Sequence, residues 1–346
     1  MIPLRGIFVF SSILLSAQVP SSGICQGYVI AWGWNFANAT SYPPRLILSN
    51  AVAVTAGEFY GLAIMQDATV VGWGRDLFGR VTGSTNEGPD RVRVNGQVLS
   101  NVVSVAADHD FSLALKREGT LAAWGRNYVP AEATNIIGIA AEWGCSWALK
   151  RDGTVFGWMS EPSNHSYGLI AVPGLSNVIR IAVGPGGHGT RGVALCRDGT
   201  VRAWGAESIH KDATPPQGLS NVVSIAVGSS HTLALRKNGT VIGWGYNRVG
   251  QATGAPTPED PYIASGAEVT FEGRSLTKVI AIAASRGYSL GIREDGTVVS
   301  WGRMADGLYP VNTPEGLSNV VAIAAGDASC LAITTNKSVA DRFAKP

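Results

Sequence analysis

Charged and aromatic side chains recur at one kind of position in this chain. Glu58, Asp108, Asp110, Glu142 and Asp327 supply carboxylates there, and His188, Arg191, His231 and Arg286 supply basic groups. Phe59, Tyr60, Phe111, Trp143 and Tyr288 fall among them. Carboxylates brought together can move protons on and off a substrate. Aromatic rings beside arginines are what the centre of a protein–protein interface uses. No H-E-x-x-H or P-loop is present in the sequence, and the glycine-rich stretch from Gly184 to Gly189 follows no strand-to-helix pattern. No pair of candidate ligands combines metal-site spacing with matching chemistry, so neither a metal nor a cofactor is expected. The reading is a non-enzymatic protein-binding site, with Phe59, Tyr60, Phe111, Trp143, Arg191, His231, Arg286 and Tyr288 as the contact residues. Two alternatives stand beside it. One is a hydrolase or lyase using Asp110 or Glu142. The other is that these side chains plug a channel and cover the strands around it.

A sequence repeat places them. Its clearest copy is Ser220 to Gly245, SNVVSIAVGSSHTLALRKNGTVIGWG. Val222–Val227 is an apolar run without alternation, which predicts a strand buried on both faces. Thr232–Arg236 is a second strand, Asn238-Gly239 a tight hairpin turn, and Thr240–Trp244 a third strand. Copies begin at Ser49, Ser100, Thr134, Ser176, Ser220, Thr277 and Ser318. Their turns include Asp67-Ala68-Thr69, Glu118-Gly119-Thr120 and Asp295-Gly296-Thr297. A tryptophan closes each third strand, from Trp32 to Trp301, at a mean period of about 45 residues, the size of a propeller blade. Trp rings at that point fill the wedge between sheets. The candidate residues all lie in, or just after, the turn between first and second strands, where loop identity is free to vary.

The ends of the chain complement each other. Tyr28–Trp32 is a third strand with no first or second before it, and Ser318–Thr335 supplies a first and second strand with no third. This predicts an all-β, seven-bladed propeller over residues 27–340, its ring closed by pairing of the N-terminal strand with the C-terminal half-repeat. Residues 341–346 form a short tail, and everything after Thr335 reads as loosely held. Residues 1–25 read as a signal peptide, with Arg5 before the apolar Gly6–Leu15, and imply a secreted or periplasmic, envelope-associated protein. Among 346 residues, 15% are charged, 45% hydrophobic and 43 are glycine, with a net charge of +2. That balance gives no general attraction to nucleic acid or to an anionic membrane. No segment is long and apolar enough to span a bilayer, and the protein is expected to be a monomer. Cys145, Cys196 and Cys330 read as buried apolar residues rather than a disulfide framework. Phe78, Tyr262 and Phe271, in the two longest connections, either fold back on their sheets or extend a binding surface.

The repeat resembles the regulator-of-chromosome-condensation repeat. Gly228-Ser229-Ser230-His231-Thr232-Leu233-Ala234-Leu235, then Gly239-Thr240-Val241, Trp244-Gly245, Asn247 and Gly250-Gln251 carry the resemblance, which extends over roughly Tyr28 to Ser338. The Gly-Gln pair after Trp-Gly-x-Asn occurs once, a departure from the pattern. The resemblance implies a propeller. Its members include nuclear guanine-nucleotide exchange factors, domains of ubiquitin ligases and secreted bacterial propellers. The leader and half-repeat ends look most like the secreted kind, of which the seven-bladed beta-lactamase inhibitory propellers of Streptomyces are an example. That branch implies binding of a partner protein, with inhibition of an enzyme as its narrower form. An exchange-factor-like regulator of a small GTPase is the alternative that the wider family implies.

The candidate ring is also divided by sign. Repeats seven, one, two and three contribute the carboxylates, and repeats four to six contribute the basic groups. A mouth polarised in this way would orient a partner and speed its docking.

Overall fold

In the copy at residues 222–268, strands follow chain order across one antiparallel sheet: Val222–Val227, His231–Arg236, Val241–Tyr246 and Tyr262–Glu268. The computed structural model describes residues 27–33, 48–83, 89–142, 144–159, 169–184, 191–205, 214–304, 309–327 and 329–343. Within these, seven antiparallel sheets have three or four strands, and each uses one copy of the repeat. The chain is almost entirely β. The first strand of each repeat lies at a sheet edge and packs against first strands of neighbouring repeats; Val320–Ala325 touches both Ala51–Ala56 and Val279–Ala284.

The two ends of the chain share one sheet. Tyr28–Gly33 pairs with Ser329–Thr334, from Tyr28 opposite Thr334 to Gly33 opposite Ser329, and Val320–Ala325 completes the sheet.

The tryptophans are core. Trp73, Trp124, Trp158, Trp244 and Trp301 are buried. Each lies across from a small residue of the second strand: Gly61, Ser112, Ser146, Thr232 and Ser289. That pairing gives the indole room to lie flat over the neighbouring strand. At Gly192, opposite Trp204, a Cβ would stand 2.0 Å from the ring, so only glycine fits. Trp147, on a second strand, is also buried. Cys145, Cys196 and Cys330 are buried, as expected of small apolar residues.

The hairpin turns repeat one device. Asp152 Oδ1 accepts hydrogen bonds from the Thr154 N–H and hydroxyl, and Asp198, Asn238 and Asp295 do the same for their threonines. The middle residue is a glycine at φ between 78° and 86° in five turns, and Ala68 at φ 60° in the sixth.

Two expectations are corrected. Val222–Val227 is not buried throughout: the ladder shifts register between Val222 and Ser224, and Val223 is 41% exposed. The end after Thr335 is not loosely held as far as Phe343. Lys337–Phe343 is a helix, capped by Asn336 Oδ1 at the Ser338 N–H (3.1 Å) and resting on the Tyr28–Gly33 and Ser329–Thr334 strands, with Val339 and Ala340 buried.

Candidate binding mouth

Strand direction fixes what each repeat delivers to one end. Third strands pair with second strands so that Gly74 faces Tyr60, Gly125 faces Phe111, Gly245 faces His231 and Gly302 faces Tyr288. The segment that leaves after each tryptophan therefore emerges beside the turn between first and second strands. A cavity of about 70 Å³ opens at this end, lined from all seven repeats, with Glu58, Asp108, Glu142, Val183, Ser229, Arg286 and Asp327 among its walls. It has room for a few waters.

The structure divides the eight predicted contact residues. Arg286 is exposed and Phe59 half-buried. Trp143 lies outside the described residues, as do His188 and the leader. Tyr60, Phe111, His231 and Tyr288 are wholly buried and Arg191 is 3% exposed, so none of these five presents a surface to a partner. Each begins its second strand, and four of them reach with a polar atom into the next sheet. The Tyr60 hydroxyl donates to Phe111 O (2.7 Å), lies 2.8 Å from Ser112 Oγ and accepts from the Asp108 N–H (3.2 Å). Arg191 donates to Gly228 O and His231 O. His231 Nε2 is 2.8 Å from Ser289 Oγ. Tyr288 donates to Gly326 O (2.6 Å). This position staples adjacent sheets, and side chains of very different chemistry serve because each finds backbone or hydroxyl partners across the seam.

The division of charge survives only on the acidic side. His231 is held neutral, its pKa pushed down to about 3 by burial and by the nearby Arg191 guanidinium. Arg191 is spent on carbonyls. Among the described residues, Arg286 is the basic group of repeats four to six that remains open to the cavity. Opposite it, burial pushes the Glu142 carboxyl well above its ordinary range, reinforced by the negative charges of Asp108 and Asp327. Glu58 is raised by burial, opposed by His109 and assisted by Asp327. His109 bridges two carboxylates, with Nε2 2.8 Å from Glu58 Oε2 and Nδ1 3.0 Å from Asp110 Oδ1. Asp108 Oδ2 accepts from the Gly144 N–H (2.7 Å). No group of three or more potential metal ligands comes together among the described residues.

Sequence reasoning missed a second copy of the Asn247…Gln251 loop. Asn247 Oδ1 accepts from the Ala252 and Thr253 N–H groups. Asp76 does the same for Val81 and Thr82, at 2.9 and 3.1 Å. Trp73-Gly74-Arg75-Asp76-x-x-Gly79-Arg80 has the spacing of Trp244-Gly245-Tyr246-Asn247-x-x-Gly250-Gln251, and that spacing was the available signal. Arg80 is buried, donates to His109 O and Arg75 O, and lies 3.9 Å from Asp110. It holds the outer wall of the acidic side in place.

The same loops carry exposed rings. Phe78 is 49% exposed at φ 61°, with the Arg126 guanidinium 3.6 Å over its ring. Tyr128 follows Arg126 in the next repeat and is 40% exposed. Tyr262, 38% exposed, packs edge-on against Tyr246, which leaves its sheet at the same end. Phe271, by contrast, is half-buried beside Arg293.

Residues 222–251 match the family model described as the regulator of chromosome condensation repeat. The mouse E3 ubiquitin-protein ligase HERC2 is 28% identical over 314 residues, which is 83% of this chain and 6% of that protein. The guanine nucleotide exchange factor SRM1 of Saccharomyces cerevisiae is 34% identical over 104 residues, 29% of this chain and 20% of that one. This chain thus spans a small part of the length of these curated relatives. In three dimensions it resembles Prp20p of Saccharomyces cerevisiae, a structure described together with its binding to Gsp1p and histones, at a TM-score of 0.67 and 19% identity over 92% of this chain and 94% of that one.

Proposed function

We propose, for a chain that belongs to the regulator-of-chromosome-condensation repeat family, that its seven sheets are the blades of one propeller, closed where Tyr28–Gly33 joins Ser329–Thr334, and that it binds a partner protein at the end bearing the acidic cavity. One observation carries the binding reading. The three large aromatic side chains that stand exposed among the described residues, Phe78, Tyr128 and Tyr262, all leave their sheets at that end. Exposed Phe78 at a left-handed φ is unfavourable on two counts for an isolated fold, and a partner that covers the ring would offset one of them. Phe59 and Arg286 remain from the original contact set. The cavity carboxylates would add orientation. Non-enzymatic action, a monomeric state and a secreted or envelope location belong to the same proposal, the last resting on residues 1–25. The relatives' names do not support the enzyme-inhibitor form.

The test is site-specific photo-crosslinking. A photoreactive residue at Phe78, Tyr128 or Tyr262 should yield the same protein adduct in the native host, and one at Glu118, on a turn at the other end, should not. Adducts formed from Glu118 alone would sink the reading. A second reading is favoured by the exchange factors among the relatives: regulation of a small GTPase. It predicts accelerated release of labelled nucleotide from the crosslinked partner, and a partner that binds no nucleotide rules it out.

A further inference from the structure

The outer edges of the sheets are not all closed alike. In repeats one, three, five and six the chain leaves the third strand and returns beside it as Asp90–Arg91, Ile170–Ala171, Tyr262–Glu268 and Tyr309–Pro310, each an antiparallel fourth strand. In repeat one Asp90 lies opposite Gly72 and Arg91 opposite Val71, and the Val92 N–H donates to Val70 O at 2.9 Å. In repeat five the Val269 N–H donates to Val241 O at 2.8 Å. The sheet of repeat two stops at three strands, with Leu121–Gly125 at its outer edge. Counted back from the tryptophans, Leu121 and Ala123 hold the places of Val70 and Gly72. In an antiparallel ladder alternate residues turn both backbone groups to the same side. Leu121 O and the N–H and C=O of Ala123 therefore point away from the sheet, and no backbone hydrogen bond reaches them among the described residues.

The path of the outgoing connection explains the gap. Trp158 Nε1 donates to Tyr128 O (2.9 Å) and Asn127 Oδ1 (3.3 Å), and Asn127 Nδ2 donates to Ser146 Oγ (2.9 Å). Trp158 and Ser146 belong to repeat three. Val129 and Ala133 then pack in one apolar cluster with Leu121, Ala123 and Ile139. The connection is thus drawn across the sheet onto the next repeat and supplies no fourth strand. The Arg93–Val94 strand touches Leu121–Gly125, but the backbone bonds nearby join Arg93 to Thr82 and Leu99 to Val92. Leu121 and Ala123 are half-buried, where Val70, Gly72, Val241 and Gly243 are buried.

An unpaired strand edge is a template for an extended chain. This edge begins at the proposed binding mouth. Arg126, the residue after Gly125, stacks on the exposed ring of Phe78, the turn Leu77–Gly79 touches the strand, and exposed Tyr128 follows two residues after Arg126. We propose that the partner protein contributes an extended segment that adds to Leu121–Gly125 as an antiparallel fourth strand. It would enter beside Phe78 and Tyr128 and lie opposite Ala122 and Ala123, as the fourth strands of repeats one, three and five lie on theirs. Its N-terminal end is at the mouth, because Leu121–Gly125 runs toward the mouth. The proposal rests on the protein-binding reading for the source of the strand.

Amide hydrogen exchange on the full chain tests the edge directly. The Ala123 N–H should exchange as fast as an open turn, while Ala122, turned toward the second strand, stays protected. Protection of Ala123 in the free protein overturns the proposal, because the edge would already be covered. The binding probe is a phage-displayed library of linear dodecapeptides. Ala123→Pro should weaken the selected peptides at least about tenfold, the equivalent of one to two backbone hydrogen bonds. Proline is tolerated at an edge position whose N–H faces outward, so this variant should fold. Methylating alternate backbone nitrogens of a selected peptide should abolish binding to wild type in one phase and spare it in the other, the mark of a strand paired along one side. That arm decides the matter even where Ala123→Pro does not fold. No enriched peptide, equal affinity for folded Ala123→Pro, or equal effects of the two methylation phases overturns the proposal. Adducts from Phe78 or Tyr128 that form unchanged in Ala123→Pro overturn the partner's use of this edge and leave the protein-binding reading standing.

Discussion

His231 gives the sharpest test of the seam between sheets. It is wholly buried, its Nε2 is 2.8 Å from Ser289 Oγ in the next repeat, and its pKa is pushed down to about 3. In the unfolded chain an imidazole takes up its proton near pH ~6.5. The unfolded state therefore binds one more proton than the folded state between these two values, and stability falls as the pH drops through that window. The slope is about 1.4 kcal/mol per pH unit, so two units below the unfolded pKa, at pH ~4.5, the loss reaches about 2.7 kcal/mol. His231→Gln removes the titration and keeps an amide that can reach Ser289. Urea unfolding of both proteins at pH ~7.5 and ~4.5 isolates the effect, because every other titrating group cancels in the comparison. Wild type should lose about 2–3 kcal/mol more than the variant over that interval. Any constant cost of the substitution appears equally at both pH values and does not affect the result. Parallel losses in the two proteins would refute the claim that His231 is a neutral staple.

Two further perturbations address the turns and the mouth. Ala68 holds φ 60° where the other five turns have glycine, and Ala68→Gly should stabilise the protein by about 0.5–1 kcal/mol, the left-handed strain relieved less the added freedom of the unfolded chain; a lowered thermal midpoint would count against it. Glu142 has a folded pKa raised above its unfolded value by burial and by Asp108 and Asp327, so its ionisation costs stability progressively as pH rises from about 4.3 through the folded value. Glu142→Gln should therefore exceed wild type in unfolding free energy at pH ~8 and lose that advantage by pH ~4; a gap that stays constant with pH would show that folding does not raise the carboxyl above its ordinary range.

The repeat, its hairpin turns and the joining of the two chain ends could be read from the sequence because each depends on spacing and on local backbone demands. Asp152-Gly153-Thr154 specifies a left-handed turn wherever it occurs, and Trp244 across from Thr232 is a cross-strand pair set by strand register. The direction of the side chains at the start of the second strands could not be read in this way. Tyr60, Arg191 and Tyr288 are the residue types that populate interfaces, and they are equally suited to bridging two sheets when a carbonyl such as Phe111 O or Gly326 O lies opposite. That carbonyl belongs to another repeat about 40–50 residues away, and no local pattern announces it. Arg80 was hidden by substitution: arginine replaces the glutamine, and Asp76 the asparagine, of an otherwise identical spacing. Val223 was hidden by the bulge, since an apolar run reads as buried until the extra residue is seen.

The staples bear on how variation within repeats should be weighed. The first residue of the second strand is Tyr, Phe, Cys, Arg, His, Tyr or Ser in the seven copies, the diversity expected of a recognition surface, yet all seven are buried. Diversity at a repeat position thus marks a place where each seam is solved separately, and it points to function only where the side chain is also open. One set of residues meets both conditions: the segments leaving after the third strands carry Phe78, Tyr128 and Tyr262, exposed and present once each.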